Sequence, residues 1–240
     1  MHSTNSTIAA VVLILLVTKA EADDQQDCAT GVSDRRIYAC TNILQSNPLD
    51  FNALANRGIS YNQIGEYDNA LVDLNKAMHL NSNIAGLYLE RGLAYDGRGD
   101  HATAIVDFSE AIRRDPRLVV AHFGRAMAYE ASGRGELAMV DLANAMRLDR
   151  NMVAALYMQR GYSLTQAAQH DRAIAAFTKS IEIKPDWLLA YFGRGAAYQG
   201  KGDTQRSASD YRKCLEFTAT TELEQQRQQV AREQLEKLNE

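Results

Sequence analysis

Proline, tryptophan and cysteine are scarce in this chain: three, one and three residues among 240. With so few prolines and almost no β-branched runs, little interrupts helices and little builds strands, which predicts an all-α protein. Charge of one sign is missing as well. The formal net charge is −4, with neither a basic stripe that would grip nucleic acid nor an acidic tail. The sequence also lacks a phosphate-cradling loop, a dinucleotide turn and a nucleophile elbow. Its histidines are scattered, and its carboxylates follow a fixed period, as solvated faces and turn caps do. These absences argue against an enzyme and call for no cofactor and no metal.

The longest apolar run, IAAVVLILLV at residues 8–17, is too short to span a bilayer. Ala20-Glu21-Ala22 follows it, a small-residue cleavage pattern, so residues 1–22 read as a secretory signal cut after Ala22. No Lys or Arg precedes the run, which keeps an uncleaved anchor as the alternative. After cleavage no membrane insertion is expected. In an oxidising compartment Cys28 and Cys40 are expected to form a disulfide. Cys214 is then left over, as a small buried side chain or, in the sharper alternative, a reactive thiol.

What the chain does have is repetition. Residues 85–118 read as two short amphipathic helices with a turn at Asp96–Asp100, and Asp115-Pro116 ends the second. Copies lie on either side. A small residue recurs as Gly58, Gly92, Ala126, Gly161 and Gly195, at intervals of 34, 34, 35 and 34 residues. Large residues keep step as Leu74, Phe108, Leu142, Phe177 and Tyr211, and small ones as Ala77, Ala111, Ala145, Ser180 and Cys214. The extra residue of the third interval falls in DRNMVAAL and is expected to be absorbed by a connecting loop.

These rows resemble the tetratricopeptide repeat, over about residues 51–221. The usual opening tryptophan is here Leu54, Tyr88, His122, Tyr157 and Tyr191, and the leucine before the small residue is arginine in every copy. The resemblance implies an all-α, right-handed α-solenoid of about five two-helix repeats: 51–84, 85–118, 119–153, 154–187 and 188–221. Ahead of it, residues 23–50 hold a half-repeat helix over Ser33–Ser46, capped by Ser33 or Asp34. Behind it, residues 222–240 form a polar capping helix. About twelve helices in one continuous stack are expected. With the signal peptide and paired cysteines, the chain most resembles exported bacterial proteins of this family, periplasmic or secreted.

The recurrent arginines lie on the core-facing side of the first helices, where an unpaired charge is costly. Sixteen residues after Arg57, Arg91, Arg125 and Arg194 stand Asp73, Asp107, Asp141 and Asp210, which predicts ion pairs within each repeat. Arg160 meets Ala176 instead and is expected to find another acceptor. A row gripping an acidic ligand is the alternative. The opposite face of the first helices carries apolar i, i+4 pairs, among them Leu89 and Leu93, Phe123 and Met127, Met158 and Tyr162, with Phe192 in the last copy. In the family resembled, that face lines the groove where ligands bind, so these residues are the candidate partner site. Packing between adjacent first helices is the competing account. The expected function is therefore a non-catalytic protein-interaction scaffold of the bacterial cell envelope, holding a peptide or helix of a partner. The alternatives are an enzyme subunit using Cys214 or a histidine, and an envelope assembly factor.

Overall fold

The computed structural model describes residues 22–238, which form an all-α helical-repeat fold. A helical stretch over 22–30 leads into twelve helices: α1 (Ser33–Ser46), α2 (Phe51–Gln63), α3 (Tyr67–Leu80), α4 (Ala85–Gly97), α5 (His101–Arg114), α6 (Val119–Ala131), α7 (Gly135–Leu148), α8 (Arg150–Gln166), α9 (His170–Ile183), α10 (Leu188–Lys201), α11 (Thr204–Glu216) and α12 (Glu222–Leu238). The signal-peptide reading falls on residues that, Ala22 apart, lie outside those described. Two compact units divide the chain between Asp141 and Leu142, inside α7.

The turns explain where helices start and stop. Asp50, Asp100, Asp149 and Asp203 each accept a hydrogen bond from a backbone N–H three residues on, capping α2, α5, α8 and α11. Gly65, Gly99, Gly133 and Gly202 take left-handed backbone, with φ between 74° and 84°, at the same place in their repeats. In the fourth repeat Ala168 takes that conformation, with φ 55°.

Two expectations about boundaries change. Ser33 is the first helical residue rather than the cap, and Asp34 lies in the first turn; Val32 holds the cap position without a side-chain bond. Ser33 Oγ instead donates to Gln63 Oε1 at 2.8 Å. The DRNMVAAL stretch is not a loop either. Asp149 caps a helix that begins at Arg150 and runs 17 residues, against 13 for α2, α4 and α6. The extra residue and those that form the connection in other repeats are taken into the helix behind the Asp149 cap.

In the first unit α2 packs on α3 and α4, and α4 on α5 and α6. Large residues of the second helices fill the spaces between first helices. The Phe108 ring sits between Gly92 and Gly124, where a Cβ on either would come within 2.8 Å of it. In the second unit Phe177 lies between Gly161 and Gly193 in the same way. There α12 packs on α10 and α11. Ala231 joins a core of Leu188, Phe192, Tyr211 and Cys214, and Gln228 Nε2 donates to the carbonyls of Cys214 and Phe217. The Cys214 carbonyl is in the last turn of α11 and the Phe217 carbonyl is at its C-cap, where the helix itself supplies no donor.

Candidate functional site

The arginine row is the most regular polar feature of the molecule. Arg57 Nε donates to Asp73 Oδ2 at 2.7 Å and its Nη2 to Oδ1 at 2.9 Å. Arg91 with Asp107, Arg125 with Asp141 and Arg194 with Asp210 repeat this two-bond fork at 2.7–2.8 Å. The aspartates are buried and the guanidinium side chains about one-fifth exposed. The hydrogen bond to each aspartate, more than burial opposes it, holds the four arginines above their ordinary pKa.

The fork has a third prong that reading the arginine and aspartate rows alone misses. The Nη1 groups of Arg57, Arg91, Arg125 and Arg194 donate to Thr41, Asn75, Ser109 and Thr178, at 2.8–3.2 Å. Those acceptors belong to the preceding second helix, so each arginine ties two layers together. Their signal in the sequence is the repeat period, hidden by a change of residue type at each step. Arg160 differs. Among the described residues it has no hydrogen-bond or ion-pair partner, so the expected substitute acceptor is not found.

The candidate partner-binding residues divide by burial. Within the first unit Leu89 and Leu93 are half-buried against Ala104, Phe108 and Ala128, while Phe123 and Met127 are buried. Within the second, Met158 and Tyr162 are half-buried against Ala173, Phe177 and Ala197. Tyr162 also meets Phe177 edge-on at 5.0 Å and donates to the Leu189 carbonyl. Phe192 is buried, with Tyr211 at 5.7 Å and the Arg227 guanidinium 5.3 Å from its ring centroid. Apolar exposure lies elsewhere, at Tyr38, Val72, Val106 and Val140, 54–68% exposed and 34 residues apart on α1, α3, α5 and α7 of the first unit.

Cys28 and Cys40 are joined by a disulfide. Cys214 is free and buried, and burial pushes its thiol up to about 11, away from nucleophilic use near neutrality. His79 faces the Asn75 carbonyl, His101 faces Asp96, and His122 sits between Asp141 and the Pro116 carbonyl. No group of three or more His, Cys, Asp or Glu among the described residues could hold a metal ion. None of the described helices is long and apolar enough to cross a membrane.

Two family models, each described as tetratricopeptide repeat, match residues 89–155 and residues 154–186 and 188–221, together more than half of the chain. A stretch of 67 residues is 36% identical to the Hsp70-Hsp90 organizing protein of Triticum aestivum, and covers 28% of this chain but only 12% of that protein. Among solved structures, a tetratricopeptide repeat protein from Parabacteroides merdae is similar with a TM-score of 0.58 at 19% identity, over 88% of this chain and 82% of that one. The C-terminal part of a repeat protein from Cytophaga hutchinsonii is similar with a TM-score of 0.52 at 17% identity, over 82% and 78%.

Proposed function

The chain belongs to the tetratricopeptide-repeat family, and on that premise we propose that it is a non-catalytic scaffold of the bacterial cell envelope. Proteins of this family generally mediate protein–protein interaction. The partner element, a peptide or helix, would lie on the first helices. The observation that carries this reading is the set of half-buried apolar side chains left there: Leu89 and Leu93 in the first unit, Met158 and Tyr162 in the second. Such residues offer apolar contact without first being unpacked. Phe123 and Met127 on α6 and Phe192 on α10 are buried.

The test is to identify what co-purifies from the native envelope, then to change Leu93 and Met158 singly to serine. Lost capture of that partner at unchanged melting temperature is the expected result. Unchanged capture by folded variants would overturn the first-helix site. A second reading rests on the exposed Tyr38, Val72, Val106 and Val140, which suit a partner on the second helices. Val72→Ser and Val106→Ser would then be the variants that lose capture.

Export is part of the proposal. The apolar run at 8–17, the Ala20-Glu21-Ala22 pattern and the Cys28–Cys40 disulfide support it. An amino-terminal peptide beginning at Asp23 in the envelope fraction is expected; one beginning at Met1 would identify a retained anchor.

A further inference from the structure

The fourth repeat keeps its arginine and loses everything the arginine binds elsewhere. In the other four, one guanidinium engages the aspartate sixteen residues later and a hydroxyl or amide on the preceding second helix. At Arg160 the first position is Ala176. The second, two residues after Asp141 as Ser109 is two after Asp107, is Ala143. Both acceptors are therefore absent together. Arg160 is half-buried as a residue, none of its guanidinium nitrogens is sealed from solvent, and among the described residues it has no hydrogen-bond or ion-pair partner.

We propose that Arg160 is an open carboxylate-binding site, which a partner polypeptide fills with the acid group that Ala176 lacks. A planar guanidinium presents a fork that matches a carboxylate through two parallel bonds. The sister repeats hold a carboxylate in this way four times over. Asp and Ala differ by a single carboxyl group, so a carboxylate is the group this repeat lacks at position 176. Phosphate is bulkier and tetrahedral, and no repeat offers a precedent for it. The site uses the side of the first helix that faces the second helix. The apolar first-helix face proposed above is separate, so either can fail without the other.

The test follows the Arg160 Nε–H resonance of the full chain by nitrogen-15 NMR during titration with sodium formate, at ionic strength held constant with chloride. Formate is the excised group itself. A saturable shift is expected, weakened at least about tenfold in Ala176→Asp, where an internal carboxylate occupies the slot. N-acetylaspartate amide and N-acetylglycine, compared in the same way, distinguish a side-chain acid from a chain terminus. Arg160→Gln provides the second control: formate should raise the melting temperature of the unaltered chain and leave this variant unmoved. A drift that chloride alone reproduces, or an equal response in Ala176→Asp and Arg160→Gln, would overturn the site.

Discussion

Arg91 and Asp107 meet through two parallel hydrogen bonds of 2.7 and 2.8 Å, sixteen residues apart and on different helices of one repeat. The pair is a fixed structural unit: the aspartate is almost fully buried, and the third arm of the arginine is committed to Asn75. Replacing Asp107 with alanine should strand the guanidinium and cost about 3 kcal/mol, the low end for breaking a buried pair because the arginine keeps some solvent contact. Urea unfolding measures it. A loss below about 1 kcal/mol would place the pair among surface ion pairs.

Ala168 occupies the left-handed turn position that glycine fills in four repeats. A Cβ in that conformation costs roughly 1–2 kcal/mol. Ala168→Gly should therefore stabilise the chain, by up to about 1 kcal/mol once the greater freedom of glycine in the unfolded state is subtracted. Thermal unfolding of the two proteins side by side gives the sign directly.

The Cys28–Cys40 bridge closes a short loop, with a sequence separation of 12. By the loop-entropy relation it contributes roughly 3 kcal/mol. Reduction, or replacement of both cysteines by serine, should first expose amides of the helical stretch at 22–30 and of α1 to exchange. Hydrogen-exchange mass spectrometry shows whether the loss begins there.

Cys214 titrates against folding. Its thiol has an ordinary pKa of 9.0 and is pushed up to about 11 by burial. The unfolded chain therefore releases this proton first as pH rises, so unfolding in that window releases a proton. The stability involved is complete below pH 9.0 and is lost as pH rises through about 11. Tyr211, raised by burial to about 12, acts in the same direction at higher pH. Denaturant midpoints measured across this range should fall, less steeply in Cys214→Ala, and a thiol-blocking reagent should not modify the native protein.

Taken alone, the sequence determined the features that repeat. A 34-residue period places Gly58, Gly92 and their relatives on one helix face, because i, i+3, i+4 spacing is a property of the helix itself. It also brings each arginine opposite its aspartate, because the same offset recurs in copy after copy. The loss of Asp at Ala176 was visible in the same row. Tertiary structure decided what depends on neighbours outside the repeat. Thr41, Asn75, Ser109 and Thr178 act as one row only because adjacent layers bring them to the arginines. Phe192 reads as an open apolar face residue until Arg227 of α12, 35 positions later, covers it. The left-handed Ala168 likewise follows no local preference. Packing on either side of a turn can hold a residue where its own propensity would not, and a one-dimensional pattern records the propensity but not the packing.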